Sequence, residues 1–123
     1  ERGLDAVANA DAHVRECLET RVTHLVFMEI PDKEHNYASR LGREVPTPDP
    51  LLVLDAMLDK KDITHVSLIQ RFQEESGSGK DLLYWPDDTH WNARGIGVAV
   101  EEVLRVMGSR IPSLKIDIIL KTV

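Results

Sequence analysis

Two short runs of almost unbroken apolar and β-branched residues, THLVFMEI (Thr23 to Ile30) and ITHVSLI (Ile63 to Ile69), stand between segments of helical periodicity. A strand with one wet face alternates polar and apolar residues, so runs without that alternation read as strands buried on both faces. Such strands need helices on each side. The order helix, strand, helix, strand, strand, helix, strand predicts an α/β domain with a mostly parallel sheet flanked by helices.

The helices are read from spacing. Leu4, Val7, Val14, Cys17 and Leu18 recur at helical intervals and predict a helix over residues 3–20, with Cys17 as a small core residue. Asp49 as N-cap and Pro50 at the first helical position predict a helix from 50 to about 60, with Leu51, Leu54 and Leu58 on one face. Ile96, Val100, Val103, Leu104 and Met107 predict a third, stopped by Gly108. A short helix through Leu41, stopped by Gly42, begins the proline-broken surface loop that contains Pro46, Pro48 and Pro50. A helical turn in QRFQEESGSGKD, a brief strand from Leu82 to Trp85 and a last β-rich run from Leu114 to Leu120 complete the reading.

At 123 residues the expectation is one domain, 1–123. A net charge of −6 and no Lys/Arg cluster interleaved with aromatics exclude a nucleic-acid partner held by charge. No apolar run approaches the roughly 20 residues of a membrane-spanning helix. A single cysteine rules out an internal disulfide and a thiolate metal cage. The chain opens at Glu1 inside a helical pattern, without initiator methionine or targeting segment, and reads as an excerpt of a longer protein.

The chemistry-bearing stretch is YWPDDTHWNARG, Tyr84 to Gly95, where the chain leaves a strand-like segment and enters a helix. Ligands of open α/β sheets gather at such strand ends. Asp88 and His90 are spaced so that a carboxylate can hold one imidazole nitrogen and leave the other as a base. The structural alternative is equally direct: Asp87, Asp88, Thr89 and Asn92 are all N-cap residues, and the helix needs one of them. Trp91 is compatible with a core anchor.

The longer string DTHWNARG, with its early helical glycine Gly95, resembles the aspartate-x-histidine signature of SGNH-hydrolase-like domains of the alginate O-acetylation type. The strand followed by IPDKEHNY, with Pro31, Lys33 and Tyr37, resembles that family's stretch after its first strand. The resemblance extends over Leu4 to Met107. It implies a three-layer, flavodoxin-like SGNH fold, incomplete on its C-terminal side. It also implies a Ser-His-Asp acyl-transfer triad in which Asp88 orients and His90 is the base. Lys33 and Tyr37 are substrate-binding candidates that line the site mouth near His90 if their loop shares the strand-end face, with a solvated loop position as the equal alternative for each, and Trp91 is the third candidate. In this family the acid and histidine precede the serine. No Gly-Asp-Ser or Gly-x-Ser-x-Gly occurs here, and Ser67, Ser76, Ser78, Ser109 and Ser113 read as strand, loop or turn residues. The nucleophile is therefore expected outside residues 1–123, and the fragment alone is expected to be inactive. Glu29, an acid just before Pro31, departs from the family pattern.

The expected partners are a polysaccharide and an acetyl donor, within a membrane-associated biosynthetic complex outside the bacterial cytoplasm, with no metal and no cofactor. Self-association through an exposed sheet edge is expected as well. A carbohydrate acetyl esterase and a non-catalytic glycan- or protein-binding module are the alternatives. GSGK (Gly77 to Lys80) is not a phosphate loop, since Glu74 stands where glycine is required and Asp81 where Ser or Thr is. A metal held by Asp87, Asp88 and His90 is the lesser reading, and His24 and His65 read as structural histidines.

Overall fold

The computed structural model describes residues 2–21, 24–77 and 82–112. The expected strand Leu114–Leu120, most of the GSGK segment, Ser78 and Ser113 lie outside them. Elements follow in the order α1 (Arg2–Glu19), β1 (Phe27–Glu29), α2 (Lys33–Asn36), α3 (Pro50–Lys60), β2 (His65–Ser67), α4 (Leu68–Gly77) and α5 (Ala93–Arg110).

Among the described residues the sheet has two parallel strands, pairing Phe27 with His65, Met28 with Val66 and Glu29 with Ser67. Two strands of three residues hold nothing together by themselves, so the helices stabilise them. Phe27 packs into a cluster with Ala8, Leu54, Leu58 and Ile63, from α1, α3 and the turn after α3. Val66 packs into a second cluster with Leu68, Phe72, Val98, Ala99 and Val106 of α4 and α5, which Tyr37, Leu83 and Tyr84 join. The two strands thus feed different apolar clusters, β1 through Phe27 and β2 through Val66, each cluster anchored by residues that contribute about 1.5–3 kcal/mol on full burial.

Several sequence expectations need correction. The packed stripe of α1 is Ala8, which is buried, flanked by partly buried Leu4 and Ala12, because alanines let α1 approach α3 closely; Val7, Val14 and Cys17 are exposed. Both strands are shorter than their apolar runs. Leu68 and Ile69 belong to α4, a full ten-residue helix that buries Leu68, Ile69 and Phe72 on one side. Residues 82–85 form no strand; a single antiparallel bridge joins Tyr84 to Trp91. Gly108 is interior to α5, which runs on to Arg110 and ends at Ile111, whose N–H donates to the Met107 carbonyl. His24 is exposed. The α3 reading holds in detail: Asp49 caps it by accepting from the Leu51 N–H at 2.9 Å, and Pro50 is its first residue.

Candidate active site

The loop from Trp85 to His90 is closed at its base by the Tyr84–Trp91 bridge and by the Trp85 N–H donating to the His90 carbonyl at 3.1 Å. Below the bridge, Tyr84 is buried and edge-on to both Tyr37 and Phe72. Its hydroxyl donates to the Pro31 carbonyl just beyond β1, and burial pushes its pKa up to about 12, so it remains a neutral donor. This ties the loop to the carboxyl end of the sheet, where open α/β domains place their ligands.

The residue that caps α5 is Asn92. Its Oδ1 accepts from the Gly95 N–H at 3.0 Å, its Nδ2 donates to the Leu82 carbonyl at 2.6 Å, and its own N–H donates to the Leu83 carbonyl at 2.9 Å. With Asn92 capping α5, Asp88 is left for another task. One oxygen of Asp88 accepts both the His90 N–H at 3.1 Å and the His90 Nδ1–H at 2.6 Å. A carboxylate only accepts, so Nδ1 carries the proton and the neutral ring keeps Nε2 as its lone-pair nitrogen. The hydrogen bond from His90 holds the Asp88 carboxyl below its usual range, keeping it ionised at neutral pH. The His90 side chain is 82% exposed.

The remaining site candidates sit elsewhere than at an open site mouth. Tyr37 is in the core, where its hydroxyl accepts from the Leu83 N–H at 2.8 Å. Trp91 is half-buried, edge-on to Phe72 with ring centroids 5.4 Å apart. The Lys33 ammonium donates to the carbonyls of Trp85, Pro86 and Asp88 at 2.6, 2.8 and 2.9 Å. Among the described serines, Ser67 donates to Asp55, Ser109 to the Val106 carbonyl, and Ser76 accepts from Asn36, so none of these hydrogen bonds reaches His90. Among the described residues no group of three or more His, Cys, Asp or Glu side chains is arranged to hold a metal ion.

Sequence reasoning singled out Glu29 only as a departure from a pattern; the structure shows why it matters. Glu29 ends β1 opposite Ser67, whose hydroxyl donates to Asp55 of α3, and His65 Nε2 lies 3.6 Å from Asp55. Burial, reinforced by Asp55 and Asp11, pushes the Glu29 carboxyl up to about 7, against the opposing pull of its own backbone N–H and of His65. Asp55 is raised for the same leading reason. Because the folded state holds this proton more tightly than the unfolded chain, Glu29 favours folding most below its ordinary value of about 4.5, and that advantage is lost as pH rises through about 7. The loss is about 2 kcal/mol after reduction for partial solvent exposure. Glu29→Gln is expected to flatten the pH dependence of stability between pH 5 and 8, read from denaturant midpoints. An unchanged slope would show that the carboxyl ionises freely.

A model of the family described as SGNH hydrolase-like domain, acetyltransferase AlgX, matches residues 1–116, which bears out the resemblance carried by the two motifs. No curated protein and no solved structure matches the chain. With the match spanning both motifs and every described element, the chain belongs to the SGNH hydrolase-like domain family of the acetyltransferase AlgX.

Proposed function

We propose that this domain supplies the orienter and the base of a polysaccharide O-acetyltransferase: Asp88 holds His90, and His90 serves a serine in a glycine-flanked setting that residues 1–123 lack. The observation that carries the reading is the 2.6 Å contact between His90 Nδ1 and Asp88, on a loop where neither residue is needed to cap the helix. An exposed side-chain contact of this kind contributes little to stability, so a fold-keeping role accounts poorly for it.

In this mechanism His90 Nε2 takes the serine proton as the serine oxygen attacks the acetyl carbonyl. The donor's leaving group departs with that proton. His90 then deprotonates a sugar hydroxyl, whose oxygen attacks the acetyl-serine; the serine oxygen leaves and recovers the proton. Asp88 stays ionised throughout and stabilises the imidazolium formed in each half-reaction. The complete catalytic domain is a three-layer SGNH fold working outside the cytoplasm on a polysaccharide and an acetyl donor. Family membership supports this setting, and no helix among the described residues is long and apolar enough to cross a membrane.

The test is the tautomer of His90. Ring nitrogen NMR signals of the neutral side chain are expected to report predominantly Nδ1–H, and Asp88→Ala is expected to shift them toward the Nε2–H form. A ring that is mainly Nε2–H in the unmodified protein, or one indifferent to Asp88, would sink the proposal and favour a binding module.

A further inference from the structure

We infer that Lys33 is a positioning residue for the Asp88–His90 pair, acting as a cationic clasp inside the loop and not as a ligand for substrate. Its catalytic consequence rests on the reading of Asp88 and His90 given above; its geometry does not.

Three carbonyl oxygens, those of Trp85, Pro86 and Asp88, converge on one point. Their dipoles all present the negative end inward, so the arrangement is self-repelling unless a cation sits at its centre. The Lys33 ammonium does so at 2.6, 2.8 and 2.9 Å, which uses all three of its N–H donors. An ammonium already saturated by main-chain oxygens has no donor left for a sugar hydroxyl or an acetyl carbonyl.

The base of Lys33 is itself fixed. It follows Pro31, which is buried and whose carbonyl accepts from Tyr84, and Asp32, whose side chain accepts from the His35 N–H at 2.6 Å. The end of β1 therefore sets where the ammonium can be. The clasp includes the carbonyl of Asp88 itself, two residues before His90. Among the described residues, the loop's own backbone–backbone hydrogen bonds are Trp85 N–H to the His90 carbonyl and Asp88 N–H to the Trp85 carbonyl at 3.3 Å, the second being long. Hence the orientation of the Asp88 carboxylate, which must meet both the N–H and the Nδ1–H of His90, depends on the backbone turn that Lys33 holds. Arginine is a poor replacement, since its planar fork cannot centre three oxygens around one nitrogen.

The experiment compares His90 in the unmodified domain, Lys33→Met, Lys33→Arg and Asp88→Ala by ring nitrogen NMR and loop amide exchange. Lys33→Met is expected to move the ring from predominantly Nδ1–H toward Nε2–H and to speed exchange of the His90 amide roughly tenfold, with Lys33→Arg intermediate. Chemical rescue separates this from loss of folding. Lys33→Cys in a Cys17→Ser background, alkylated with 2-bromoethylamine, rebuilds an ammonium of matching reach and is expected to restore the signal. The same thiol capped with a methylthio group is expected not to. If Asp88→Ala loses the Nδ1–H signal while Lys33→Met and the methylthio form keep it, the clasp is overturned and the acyl-transfer reading stands. If Asp88→Ala keeps it, the acyl-transfer reading fails, and amide exchange alone then decides whether Lys33 holds the loop. Exchange unchanged in Lys33→Met overturns the inference in either case.

Discussion

His90→Ala is expected to lower acetyl transfer by about 10²–10⁴-fold, the range that removal of a positioned general base produces. The assay uses the protein that carries this domain together with its serine, with p-nitrophenyl acetate as donor and an acetyl-free oligosaccharide as acceptor. The expected loss follows from geometry. With Nδ1–H committed to Asp88, Nε2 is the ring's one free base, and His90 is exposed enough to meet a serine from outside the loop. Asp88→Asn retains an acceptor but loses the charge that stabilises the imidazolium, so it is expected to cost about a hundredfold or more in kcat with little change in KM. Retention of transfer within threefold by His90→Ala would remove the base assignment. Acetate release in place of acetyl-sugar formation by the unmodified protein would identify it as an esterase, with the same residues in the same roles.

The second large effect concerns folding. A Cβ on Gly95 would lie 2.2 Å from the Leu83 carbonyl oxygen, 3.1 Å from the Leu83 carbonyl carbon and 3.3 Å from the Trp91 Cβ. The obstacle is backbone, so no side chain can swing away to relieve it. That carbonyl also accepts from the Asn92 N–H, and Gly95 supplies the N–H that Asn92 caps, so any relaxation breaks the start of α5. Gly95→Ala combines overpacking with a lost cap and is expected to cost about 3 kcal/mol or more. For a domain of this size that is a fall in Tm of roughly 10–20 °C. Gly97→Ala is the control: a Cβ there meets nothing within 4 Å, so it is expected to stabilise by about 0.5–1 kcal/mol through helix propensity. Equal melting of the two variants would refute the close-approach argument.

The glycine and the histidine answer one question together. The stretch Tyr84–Gly95 crowds acids around a histidine at a helix start, and either a cap or a catalytic pair would account for such a pattern. A cap and a hydrogen-bonded Asp–His pair are both present, on different residues. Asn92 caps, Gly95 makes room for the turn that lets it cap, and Asp88 is thereby free to hold His90.

Local patterns carried much of this protein. The first two strands, the Asp49–Pro50 start of α3, the helical character of residues near 3–20 and 93–110, and the pairing of Asp88 with His90 are all matters of a few neighbouring residues, which spacing and capping chemistry dictate directly. Tertiary structure decided what depends on distant partners. Leu68 and Ile69 extend an apolar run that reads as strand, yet they turn into α4 because a helix there buries them together with Phe72. Tyr37 and Lys33 read as residues of a site mouth; the first is drawn into the core by the Leu83 N–H, the second into the loop by carbonyls 52 to 55 positions away. Glu29 acquires its raised pKa only when α1, α3 and β2 close over it. Burial and long-range hydrogen bonds are properties of the assembled chain, and no spacing within a single segment encodes them.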